Sequence, residues 1–101
     1  FITNASQQFI LNEIDAGRPC GVAWLHHGSV SNPSGGGHWT VATGYTLDSV
    51  IQNDPNGEAD LINGCYTDNM NGEHVEYSYT NWLPRWSVSN PNDGWAMQIK
   101  P

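Results

Sequence analysis

The order of apolar and polar positions divides this chain into one helical segment and a series of short strands. Between Thr3 and Gly17, Phe9, Ile10 and Ile14 share one helical face; Ser6 or Thr3 can cap the start, and Gly17 with Pro19 stops it. From Cys20 onward the pattern changes to β-prone runs at Val22–Leu25, Trp39–Tyr45, Val50–Gln52, His74–Tyr79 and Trp95–Ile99. Turn dipeptides separate them, Asn56-Gly57, Asn63-Gly64 and Asn71-Gly72 among them, because Asn and Gly accept positive φ at little cost. This punctuation predicts an antiparallel sheet or partial barrel behind an N-terminal helix, an α+β arrangement. Tyr79–Arg85, interrupted by Pro84, reads as a short helical turn or an irregular link. Ser29–Gly37, with three consecutive glycines, reads as a longer loop beside His38.

Alternation along Trp39–Tyr45 puts His38, Thr40 and Ala42 on one face and Trp39, Val41 and Thr43 on the other. A strand at Val50–Asn53, returning through the turn at Thr46-Leu47-Asp48, brings Asn53 or Asp54 back beside His38. An imidazole at the start of one strand and a carboxylate at the end of the next form a base and its orienting acid, and the carboxylate selects the ring tautomer. The bland alternative is a surface His near a turn Asp.

Length and composition set the frame. The 101 residues, 38% of them hydrophobic, support one domain spanning 1–101 with one modest core. Ten acidic residues against Arg18, Arg85 and Lys100 give a net charge of -7, which argues against nucleic acid as a partner because phosphate binding needs a basic stripe. No apolar run approaches the roughly 20 residues needed to span a bilayer, so no membrane role is expected.

Two cysteines, Cys20 and Cys65, permit one disulfide or two free thiols. Cys20 sits among Val22, Ala23 and Trp24, an apolar setting that suits an inert thiol better than a nucleophile; Cys65 is the weaker candidate of the two. His26 and His27 invite a metal reading with His38 and Asp54, but adjacent strand residues point to opposite faces, so no metal or other cofactor is expected. One of these imidazoles, His26, is instead expected at the cleft rim as a substrate contact. His74 reads as an exposed strand position. Of Trp24, Trp39, Trp82, Trp86 and Trp95, at least three are expected in the core; exposed ones could stack on sugar rings.

Several separated segments taken in order resemble a known family. Glu13-Ile14, Gly17-Arg18-Pro19, Gly37-His38-Trp39, Gly44-Tyr45 and Asn53-Asp54-Pro55 followed by Gly57 look like the second half of the C39-like cysteine peptidases, which have the papain-like fold. Leu25-His26-His27-Gly28, Gly64-Cys65-Tyr66, Asn81-Trp82, Pro84-Arg85-Trp86 and Gly94-Trp95-Ala96 are similar to segments of such modules in phage and bacterial cell-wall proteins. The resemblance implies that His38 is the general base and Asp54 its orienting acid; Trp39 and Gly37, with His26, are expected to line the cleft in substrate contact. It implies a catalytic Cys upstream, on a preceding segment or a companion chain, so that this chain would be the C-terminal part of a longer peptidase domain. Peptidoglycan peptides would be the substrate, and the setting extracellular or virion-associated. Two alternatives stay open: a non-catalytic docking module of a virion tail or other assembly, and a glycan-binding module.

Overall fold

The computed structural model describes residues 2–68 and 71–98 as a small α+β domain. Strand β1 (Ile2–Ala5) leads into helix α1 (Gln7–Asp15), and β2 (Cys20–Trp24), β3 (His38–Tyr45) and β4 (Ser49–Asn53) follow. A small hairpin of β5 (Glu58–Asp60) and β6 (Cys65–Asp68) precedes β7 (Val75–Ser78), helix α2 (Tyr79–Trp86) and β8 (Gly94–Gln98). The main sheet has the order β1-β8-β2-β3-β4-β7, and each neighbouring pair is antiparallel. Among the described residues no helix is long and apolar enough to cross a membrane.

The expected first helix is shorter than Thr3–Gly17, because Ile2–Ala5 pairs with β8 instead. Ser6 rather than Thr3 is the cap: its backbone is extended and its Oγ accepts the Phe9 N–H. Gly17, at φ +80°, ends α1 in a conformation open to glycine. Arg18 then reaches back to Glu13 with two hydrogen bonds, Nε to Oε1 at 3.1 Å and Nη2 to Oε2 at 3.0 Å, which ties the turn before β2 to the helix.

Strand β3 alternates as expected: His38, Thr40 and Ala42 are buried while Trp39 and Val41 are exposed. Both helices lie over the buried face, since Ile10 of α1 and Trp82 and Trp86 of α2 share one apolar cluster with Val22, Trp24, Ala42, Val50, Tyr77 and Ala96. Trp24, Trp82 and Trp86 are thus the three core tryptophans, and Trp82 and Trp86 stack 5.0 Å apart. Gly94 is small because Trp86 lies over it; a Cβ there would stand 2.3 Å from the ring. On the other face Trp39 and Trp95 flank Ala23, one on each strand beside β2.

Two further expectations change. Tyr79–Trp86 is a helix, capped by Ser78, whose Oγ accepts the Asn81 N–H. His74 is no strand position: it turns at φ 55° just before β7, and its N–H donates to Asn53 Oδ1 at 2.9 Å. Ile99, expected to close the last strand, lies outside the described residues.

Candidate functional site

The start of β3 and the end of β4 meet at one end of the sheet. A bulge between Ala42 and Gly44 shifts the β3–β4 register, and beyond β4 the chain turns inward at Asp54. There His38 Nε2 stands 2.7 Å from Asp54 Oδ1, with both side chains buried. A carboxylate only accepts, so Nε2 carries the proton in the neutral ring and Nδ1 is left as the acceptor.

Asp54 is held by more than its histidine. Tyr77 donates to Oδ2 at 2.7 Å, Tyr66 donates to the same oxygen at 3.1 Å, and the Asn56 N–H donates to Oδ1 at 3.0 Å. Burial by itself raises the carboxyl pKa; the bonds from His38, Tyr77 and Asn56, with the charge of His38, outweigh it and hold the group below its ordinary value. Both phenols are shifted the other way, upward, first by burial and then by the adjacent Asp54. They are therefore fixed donors to the carboxylate at neutral pH. The backbone closes over the same residue, with the Asp54 N–H bonded to Gly72 O at 2.7 Å. A Cβ at Gly72 would stand 1.7 Å from Asp54 O, so only glycine lets the two segments pass.

The base has its own walls. His26 stacks on His38 with centroids 4.7 Å apart and planes 26° apart, and Trp24 meets the His38 ring edge to face at 5.4 Å. Trp24 is itself anchored: its Nε1–H donates to Thr40 Oγ1 at 2.9 Å, and that hydroxyl donates on to Gln52 Oε1. Burial, and after it the neighbouring His27 and His38, lowers the pKa of His26, so this ring stays neutral to lower pH than a free imidazole. Its position is set by Arg85, which is fully buried and spends all five N–H donors on backbone carbonyls. Nη1 binds Leu25 O at 3.1 Å and His27 O at 2.9 Å, Nη2 binds Gly28 O at 2.7 Å and Leu61 O, and Nε binds Leu61 O at 2.8 Å. Arg85 thus clamps the segment that carries His26 to the hairpin β5–β6. Gly64 packs against the same segment, where a Cβ would stand 2.1 Å from Gly28 O.

His38, Asp54 and His26 therefore meet, and Gly37 precedes them with φ +95°. Trp39 emerges from the opposite face of β3. Neither cysteine joins the cluster. Cys20 pairs with Ala42 while Trp24 pairs with His38, four residues along β2 or roughly 13 Å away at strand rise. Burial, with the charge of Glu13, pushes the Cys20 thiol up to about 11. Cys65 is exposed and its Sγ lies 3.9 Å from Asp60 Oδ2; alternation turns it away from the side on which Tyr66 meets Asp54. Both thiols are free. Among the described residues no three His, Cys, Asp or Glu side chains are arranged to hold a metal ion.

Tyr66, Tyr77 and Arg85 are the site residues that sequence reasoning did not single out. Alternation in Val75-Glu76-Tyr77 was a usable signal for Tyr77, since it sets Val75 and Tyr77 on one face. Comparisons with protein-family models, with curated proteins and with solved structures find no match to this chain.

Proposed function

We propose that this chain supplies the base and its orienting acid to a cysteine-peptidase-type hydrolase of papain-like fold, acting outside the cell or on a virion on the peptides of peptidoglycan. The carrying observation is the buried pair of His38 Nε2 and Asp54 Oδ1 at 2.7 Å, which leaves Nδ1 as the proton acceptor. The nucleophile in this reading is a thiol on an upstream segment or companion chain. His38 Nδ1 takes the thiol proton as sulfur bonds to the carbonyl carbon. The C–N bond then breaks, the imidazolium returns the proton to the leaving amine, and water hydrolyses the thioester with His38 again as base. Asp54 holds the ring and stabilises its charged form throughout.

A thiol-directed electrophile applied to the native protein at neutral pH, with modified cysteines identified by mass spectrometry, tests the reading. The expected result is rapid modification of a thiol outside this chain, slowed by His38→Ala, with Cys20 untouched; at a pKa of about 11 only about one Cys20 in 10⁴ is ionised at neutral pH. Rapid labelling of Cys20 would move the nucleophile into this chain. Absence of any fast thiol would overturn the peptidase reading in favour of a docking module.

One observation favours a second reading for the opposite face of the sheet. Trp39 and Trp95 are 40% and 52% exposed on either side of Ala23, and exposed indole faces can stack on sugar rings. If that face binds glycans, soluble peptidoglycan sugars quench tryptophan fluorescence and Trp39→Ala removes most of the effect; unchanged fluorescence would exclude it.

A further inference from the structure

A cavity of about 380 Å³ opens at the end of the sheet where β2 leaves and β3 and β8 begin. Gly37, the residue before His38, lies in its wall, and so do Leu25, Trp86, Val88, Asp93 and Trp95. The volume falls within the range of small-ligand sites, and the wall is apolar and aromatic with few polar groups. Gly36 and Gly37, which line one side, have no atom within 4 Å of where a Cβ would stand, so a peptide main chain can approach them closely.

The polar groups of this cavity select the sign of the ligand. Arg85 lines it and keeps its positive charge, which faces that of Asp60, but its five N–H donors are all bonded to the carbonyls of Leu25, His27, Gly28 and Leu61, so it has no hydrogen bond left for an anion. Asp93 is the opposite case: Oδ2 accepts the Ser89 N–H at 2.9 Å, whereas Oδ1 is buried and accepts nothing among the described residues. A carboxylate oxygen out of water without a donor is costly, and an incoming N–H group relieves that cost. The indoles of Trp86 and Trp95 beside it favour a cation over an anion, as does the net charge of -7.

We propose that this cavity is a specificity subsite for a peptide side chain with an apolar stem and a terminal ammonium group, of the lysine type, with Asp93 as its acceptor. The proposal rests on the hydrolase reading for its role beside His38, but the site is defined by binding and is tested by binding. The probes are capped tripeptides Ala-Lys-Ala, Ala-norleucine-Ala and Ala-Glu-Ala, titrated into the ¹⁵N-labelled protein while the indole N–H signals of Trp86 and Trp95 are followed. The lysyl peptide is expected to shift both signals and to bind at least about tenfold more tightly than the norleucyl peptide, with the glutamyl peptide weakest. Asp93→Asn should bring the lysyl peptide down to the norleucyl affinity. Val88→Lys, at an exposed position on the cavity wall, should block the lysyl peptide by placing an ammonium in the cavity from the chain itself. Equal affinity for lysyl and norleucyl peptides, or lysine selectivity that survives both substitutions, would overturn the proposal. Selective, Asp93-dependent binding in a protein that hydrolyses nothing would overturn only the hydrolase reading.

Discussion

Replacing Arg85 with Met is expected to lower the unfolding free energy by about 3–5 kcal/mol, a large share of the roughly 5–15 kcal/mol that holds a domain of this size together. The Arg85 side chain is fully buried and its guanidinium meets the carbonyls of Leu25, His27, Gly28 and Leu61. Met fills comparable volume but takes this donor away from Leu25 O, Gly28 O and Leu61 O, whereas His27 O keeps the Ser34 N–H at 2.8 Å. Each stranded carbonyl costs on the order of 1–3 kcal/mol, partly recovered as the loop relaxes toward solvent. Arg85→Lys should rescue little, because one ammonium cannot reproduce a planar fork with five donors. Urea denaturation followed by tryptophan fluorescence reads the change. A loss under about 1 kcal/mol would mean that the clamp contributes little to the fold. Because the clamped segment carries His26, the substitution should also release the ring stacked on His38.

The same residue marks where sequence reasoning stops. Alternation in β3 was legible because His38, Thr40 and Ala42 face a core while Trp39 and Val41 do not, and a period of two survives any detail of packing. The approach of the end of β4 to His38 was legible in part, because a short turn at Thr46–Asp48 limits how far the next strand can slide, but spacing alone left Asn53 and Asp54 open. What was missed depends on partners distant along the chain. Ile2–Ala5 is a strand only because β8 lies beside it, some ninety residues on. Glu58-Ala59-Asp60 reads as polar, since Ala59 alone of the three is buried, so the hairpin that delivers Tyr66 to Asp54 left no apolar pattern to find. Arg85 offers no pattern at all, because its partners are backbone carbonyls that every residue possesses. The fold's alternation was therefore readable and the partner of His38 was narrowed to Asn53 or Asp54, whereas the groups that fix the pair in place were not.

Under the proposed peptidase function, substituting Asp54 with Asn should reduce hydrolysis roughly 10³- to 10⁴-fold, as expected when a catalytic histidine is held in the wrong tautomer. Asp54 accepts from four donors, His38, Tyr66, Tyr77 and the Asn56 N–H, and an amide offers only one oxygen to them. If the amide nitrogen faces His38, the ring must accept at Nε2, so its proton moves to Nδ1, the atom that should receive the thiol proton. If the oxygen faces His38, the amide nitrogen confronts Tyr77, whose hydroxyl already accepts the Ala59 N–H. Either orientation weakens the pair, and neither stabilises an imidazolium as a carboxylate does.

Stability as a function of pH separates the charge from the shape. The Asp54 pKa is depressed in the folded chain below its ordinary 3.8. Its contribution to stability is therefore complete above that value and is lost as pH falls through the folded-state pKa. Urea midpoints of the parent protein and Asp54→Asn should differ near neutral pH and converge in acid below 3.8. A gap that stays constant from neutral pH into that acid range would show that Asp54 acts through packing alone, and its charge would then have no part in holding the base.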